Sequence, residues 1–209
     1  DESFGPTGSL GRTSSREPFL SSTLRTALQR LNPYAPPQAL DAGIEHLSRD
    51  RSAMGLAAAN RDVHRLLAEG VKFDWTDPAT GKPEKLTLQV VDWQRPEAND
   101  LLAVRQMKLQ GPLYACIPDV LLFVNGLPWV VMEWKAHGVA VQEAFDDNPT
   151  SYKHPQNGVP ALFASNAMLV VSNGSDAKVG SLTAAWDRFF DWKRIASEDE
   201  PRRISLDVL

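Results

Sequence analysis

The sequence predicts an α/β fold, and three observations carry that reading. Stretches with helical apolar spacing occupy much of residues 20–68, strand-length apolar runs follow them, and two such runs flank Asn125-Gly126. That dipeptide readily takes the positive φ values of a tight hairpin turn, so residues 117–124 and 127–135 are expected as adjacent antiparallel strands.

At 209 residues, with 43% hydrophobic and 23% charged side chains, the chain has the make-up of an ordinary soluble globular protein and can build one domain with a sizeable core. A formal charge of -4 argues against a uniformly basic nucleic-acid-binding surface, while leaving room for a local positive groove or a contact made by another domain. No opening apolar segment resembles a secretory signal or a membrane span, so the expected location is cytoplasmic, with no membrane partner. The single cysteine, Cys116, cannot form an intrachain disulfide. It precedes an apolar run and reads as a small core residue, not a nucleophile, because no histidine shows a pairing signature.

In chain order, residues 1–18 hold Gly, Ser, Thr and Pro without a sustained apolar period and are expected as a flexible leader. Residues 20–31 read as a short amphipathic helix ending near Asn32-Pro33, since proline disfavours a helical conformation in the residue before it. Residues 38–48 form a second helix with Ala39, Ala42 and Leu47 on its apolar face. Residues 53–68 form a third, with Leu56, Val63, Leu66 and Leu67 inward and Gly70 as its cap. Arg61, His64 and Arg65 read as an exposed basic face of that helix. The period then changes: residues 71–75 and 86–93 are expected as antiparallel strands reversing at Pro78 and Gly81.

Residues 100–109 fit a strand or a short helix equally. Residues 142–152 have helical spacing interrupted by Pro149, with Asp146 and Asp147 facing solvent. A helical turn over 161–165 and a buried strand over 167–172 follow, and Asn173-Gly174 leads into a loop holding Ser175, Lys178 and Ser181. Residues 182–193 are expected as a helix packing Trp186, Phe189 and Phe190. The end of the chain divides into a polar stretch over 197–203 and the start of another strand or domain over 204–209.

The chemistry concentrates at the hairpin. With a two-residue turn, Asp119 falls opposite Met132 and diagonal to Glu133, and strand alternation turns Glu133 and Lys135 to the same face. Acidic side chains sit poorly in apolar strands unless paired or metal-bound. The arrangement suits a divalent cation held by Asp119 and Glu133, with Lys135 orienting water or stabilising negative charge. It also suits a Glu133–Lys135 ion pair at a strand end, with Asp119 as a turn or bulge residue after Pro118. No Gly-x-x-x-x-Gly-Lys-Ser/Thr sequence occurs, so ATP hydrolysis is not visible in this chain.

Pro118-Asp119 followed by Glu133-x-Lys135 resembles the metal-binding signature of the PD-(D/E)xK nuclease superfamily. The stretches 123–135, 148–153, 159–163, 172–184 and 60–71 are similar to the amino-terminal nuclease region of type I restriction enzyme motor subunits, the HsdR family.

The resemblance implies a restriction-endonuclease-like mixed sheet core flanked by helices, with a nuclease domain over 19–196 and a linker or following domain over 197–209. It implies cleavage of double-stranded DNA with Mg2+ bound by Asp119, Glu133 and the main-chain carbonyl of Trp134, and Lys135 as the catalytic lysine. It also implies modification and specificity subunits as partners, and ATP used only in a motor region outside this chain. Glu45 is the candidate for the helical glutamate that completes the family's acidic site; as a residue alone it reads as solvent-facing helix support. Asn148 and Tyr152 stand where the family carries a glutamine four before a tyrosine, and are candidates for DNA positioning. The basic residue that often precedes the proline-aspartate pair is replaced by Ile117. Two readings compete with catalysis in a restriction complex: a noncatalytic DNA-binding or subunit-docking module with a nuclease-like core, and another metal-dependent nuclease or repair enzyme.

Overall fold

The computed structural model describes residues 2–201 apart from 6, 77–79, 148, 195–196 and 198. Backbone proximity divides them into two compact units: residues up to Leu102 together with Phe123–Leu127, and the remaining described residues. The fold is mixed α/β, as expected.

The first unit carries the helices α1 (Ser21–Leu31), α2 (Pro37–Ser48) and α3 (Leu56–Glu69), and the strands β1 (Val71–Thr76) and β2 (Pro83–Leu88). Each helix buries residues three and four apart: Leu24, Ala27 and Leu28 on α1, Ala39, Leu40, Gly43 and Leu47 on α2, and Ala59, Val63 and Leu67 on α3. Asn32 ends α1 by donating both its backbone N–H and its side-chain amide to the Leu28 carbonyl, at 3.0 and 2.8 Å. Gly70, at φ 81°, caps α3 with an N–H bond to the Leu66 carbonyl. β1 and β2 pair antiparallel from Val71↔Leu88 to Thr76↔Pro83; Pro78, expected in their reversal, lies outside the described residues.

One stretch of this unit differs from expectation. The expected strand over 86–93 stops at Leu88, because side chains take up the backbone groups beyond it. Asn32 Oδ1 accepts the Gln89 N–H, Asn125 donates to the Val90 carbonyl, and Asn99 Oδ1 accepts the Asp92 N–H. Among residues 2–18, Arg12 is fully buried, paired with Glu2 and bonded to the Glu17 carbonyl.

The main sheet has six strands: β3 (Leu101–Arg105), β6 (Val120–Val124), β7 (Leu127–Trp134), β8 (Met168–Ser172), β9 (Ala177–Gly180) and β10 (Phe190–Asp191). A separate pair is formed by β4 (Leu109–Gln110) and β5 (Ala115–Cys116). The order across the main sheet is β10-β9-β8-β7-β6-β3. β7 runs parallel to β8, and β9 antiparallel to β8, so the sheet is mixed. The ambiguous stretch over 100–109 thus supplies a strand.

β6 and β7 are joined as expected by Asn125-Gly126, at φ 51° and 81°, the two positive values of a type I′ turn. β7 is central and buried along most of its length, which its nearly continuous apolar sequence allows. The crossover from β7 to β8 holds α4 (Val141–Asp147) and α5 (Pro149–Tyr152), and α4 packs on β8. Leu121, Val131, Leu162, Phe163, Leu169 and Val171 are essentially inaccessible to solvent.

The helix expected over 182–193 is absent. A 3₁₀ turn at Trp186–Arg188 leads into β10 instead. Trp186 and Phe189 stack at 5.7 Å, and Phe145 meets the Phe189 ring edge-on at 4.9 Å. The aromatic spacing that imitates a helix thus serves one tight turn packed against α4. Lys178, expected in a loop, sits on β9 and pairs with Asp191 on β10 at 2.7 Å.

Candidate active site

β7 carries one acidic residue in its apolar run, Glu133, which is 1% exposed. It pairs with Val171 on β8. A carboxylate in such a place costs several kcal/mol on the order of magnitude expected for charge burial unless a cation or hydrogen-bond donors compensate. Asp119 stands immediately before β6, and its Oδ2 accepts the backbone N–H of Trp134 at 2.8 Å. Its own carbonyl accepts the N–H of Gln106 at 3.0 Å. Asp119 is therefore held at both its backbone and its carboxylate, beside the end of β7 where Glu133 lies.

Lys135 follows at once. Its backbone N–H extends the β7–β8 pairing to the Ser172 carbonyl at 2.9 Å, and its Nζ donates to Asp147 Oδ2 at 2.8 Å. Asp147 faces solvent as expected and also holds the lysine. That bond is the main reason the Lys135 pKa is raised, with the charges of Asp147, Glu143 and Glu133 adding to it against the opposing effect of burial.

Two further groups feel the same carboxylates. Burial first, then Glu133, Cys116 and Asp119, push the Tyr152 hydroxyl well above its ordinary pKa, against a backbone hydrogen bond at Ile117. Burial and Glu133 raise the Cys116 thiol to about 11, against a backbone hydrogen bond at Val159. Cys116 is buried and stays protonated at neutral pH, in keeping with its reading as a core residue. A cavity of about 300 Å³ opens beside these groups, lined by Tyr114, Ala115, Cys116, Ser151, Tyr152, His154 and Asn157.

Asp119, Glu133, Lys135 and Tyr152 thus gather at one end of the sheet. Glu45 lies on α2 in the first unit with an exposed side chain, and Asn148 lies outside the described residues. Asp147 and Ser172 escaped the sequence reading, because β7–β8 register and the return of α4 depend on a crossover that no local pattern specifies.

Among the described residues, no group of three or more His, Cys, Asp and Glu stands at metal-ligand spacing. The carboxylates of Asp119 and Glu133 are hard oxygen donors. This hard-donor set fits Mg2+, which characteristically takes one or two carboxylates and fills its remaining positions with water and substrate phosphate.

Residues 2–188 match the family described as the amino terminus of the type I restriction enzyme R protein. The chain belongs to that family. This HsdR-family chain is 33% identical over 189 residues to the type I restriction enzyme HindI endonuclease subunit of Haemophilus influenzae, covering 88% of the present chain and 17% of that protein. It is 28% identical over 167 residues to the type I restriction enzyme EcoprrI endonuclease subunit of Escherichia coli, covering 80% of the present chain and 51% of that protein. The HsdR-family chain therefore spans well under two thirds of the length of these relatives.

Proposed function

We propose that this chain is the Mg2+-dependent endonuclease domain of a type I restriction enzyme subunit, hydrolysing phosphodiester bonds of double-stranded DNA. The observation that carries the reading is the Asp119 carboxylate bonded to the Trp134 amide, beside buried Glu133 and next to Lys135. Mg2+ bound by Asp119, Glu133 and the Trp134 carbonyl would supply a Lewis acid for the scissile phosphate and a more acidic water. Asp119 and Glu133 supply the negative charge that retains the cation. The Asp119–Trp134 bond fixes one carboxylate, and the sheet fixes the other. Lys135 presents an ammonium within this field, suited to orienting water or stabilising charge that develops on the phosphate. Tyr152, and Asn148 by its place in the sequence, are assigned to DNA positioning; Glu45 is a weaker candidate for a third carboxylate.

On this reading the domain works in the cytoplasm with modification and specificity subunits, and ATP is consumed in a motor region elsewhere in the subunit. No helix among the described residues is long and apolar enough to cross a membrane. The test is cleavage of duplex DNA by the complete subunit in its assembled complex with Mg2+. Asp119→Ala and Lys135→Ala, with folding verified by circular dichroism, are expected to lower the cutting rate by about a hundredfold or more. Undiminished metal-dependent cutting by both variants would remove the assignment. The alternative, a noncatalytic DNA-binding or subunit-docking module with a nuclease-like core, is distinguished by the same assay. It requires DNA or partner binding without cutting by the complete parent complex.

A further inference from the structure

Resting on that nuclease reading, we propose that Asp147 is the positioning residue for Lys135, tethering its ammonium beside the carboxylates during DNA cutting. The direct observation is the 2.8 Å bond from Lys135 Nζ to Asp147 Oδ2. Together with the backbone bond to Ser172, it ties the lysine at both ends of its long side chain. A free lysine disperses over many rotamers, at up to about 2 kcal/mol of side-chain entropy when ordered. A lysine already tethered presents its charge without meeting that cost in the reacting complex.

The ion pair adds little to folding: the Asp147 side chain is 59% exposed and that of Lys135 25%, and exposed pairs contribute about 0–1 kcal/mol. What the carboxylate does have is a rigid mounting. α4 buries Val141 and Ala144, and Phe145 packs against Phe189 and Trp186. The Phe145 carbonyl also accepts the Thr150 hydroxyl at 3.1 Å. The helix thus holds Asp147 at a set distance from the strand that carries Lys135.

The experiment measures single-turnover DNA cutting and DNA half-saturation for the complete subunit in its complex. The variants are Asp147→Ala, Asp147→Asn, Asp147→Glu, Lys135→Ala and the Asp147→Ala/Lys135→Ala double change. Glu143→Gln is the control, since it removes a neighbouring charge on α4 and leaves the bond. Asp147→Ala and Asp147→Asn are expected to slow cutting by about ten- to a hundredfold at unchanged half-saturation, with Asp147→Glu recovering part of the loss and Glu143→Gln cutting at the parent rate. If Asp147 acts through Lys135, the double variant cuts no more slowly than Lys135→Ala alone. Parent-rate cutting by Asp147→Ala, full additivity in the double variant, or no recovery by Asp147→Glu overturns the inference while leaving the nuclease reading intact. Parent-rate cutting by Lys135→Ala overturns both.

Discussion

Asp119 shows how much one short side chain can organise. Its carboxylate accepts the amide of Trp134 while its carbonyl accepts that of Gln106, so its position is set by β7 and by the residue that follows β3 before any ligand arrives. That preorganisation has a measurable consequence for cation binding. Mg2+ is expected to raise the melting temperature of the parent chain, by the equivalent of about 2.7 kcal/mol at a hundredfold excess over its Kd. Asp119→Asn, which exchanges a charged ligand for a neutral one, is expected to lose most of that rise. A calorimetric titration with Mg2+ checks this, and equal shifts in both proteins would contradict it.

Asn125 is the second residue with consequences beyond its size. It is fully buried at φ 51°, exchanges backbone and side-chain bonds with Asp100, and donates to Val90 and Asn99. Asn125→Ala removes these bonds and leaves the Asp100 N–H and Val90 carbonyl without that partner. A loss of about 3 kcal/mol is expected in chemical denaturation.

At the scale of elements, the hairpin turn is the feature that reads most directly from sequence. A two-residue Asn-Gly turn folds β6 back along β7, and Asp119, just before β6, reaches the Trp134 amide at the end of β7. Gly126 is confined as well as strained: an added Cβ would stand 2.6 Å from the Leu20 carbonyl and 2.8 Å from the Leu24 nitrogen, at φ +81°. Gly126→Ala is expected to destabilise the fold by more than the ~1 kcal/mol of an ordinary glycine substitution, read from the denaturation midpoint.

The helices α1, α2 and α3 were legible for a similar reason, since apolar spacing and terminal residues such as Asn32 and Gly70 are local signals. What escaped reading depends on distant partners. Residues 89–92 look like a strand until Asn32, Asn99 and Asn125 occupy their backbone groups. Residues 182–193 look like a helix until Phe145 gathers Trp186 and Phe189. Of the site, Asp119, Glu133 and Lys135 could be grouped from the hairpin, but the lysine's partner could not, because a loop and a whole helix separate it from Asp147.

An ion-pair cluster ties α3 to the segment before it. Asp62 accepts Arg49, Arg51 and Arg65 at 2.7, 2.9 and 2.9 Å. Burial raises its pKa, but the bonds and charges of Arg51 and Arg49 outweigh burial and leave it below the ordinary 3.8. A carboxyl with a depressed folded-state pKa contributes stability that is fully present above its unfolded value and is lost as pH falls through the folded value. The melting-temperature gap between the parent and Asp62→Asn is therefore expected to be full near about pH 6 and to shrink below about pH 4. A gap constant across that range would contradict the assignment.

For the molecule as a whole, the relevant fact is that the chain spans 17% of one relative and 51% of another. On the proposed reading the acidic site needs DNA delivered to it, and a formal charge of -4 makes a broad electrostatic grip by this chain alone unfavourable. The division of labour proposed here follows: this chain supplies the carboxylates and the lysine, and the rest of the assembly brings the duplex to them. The most direct measurement is a crystal of the protein with a short DNA duplex and Mn2+ in place of Mg2+, read by anomalous scattering. The expected result is an anomalous peak at about 2.0–2.3 Å from oxygens of Asp119 and Glu133, touching a backbone phosphate, with Lys135 against the same phosphate. A duplex bound with its phosphates away from Asp119 and Glu133, or a metal held elsewhere while these carboxylates stay bare, would contradict the account.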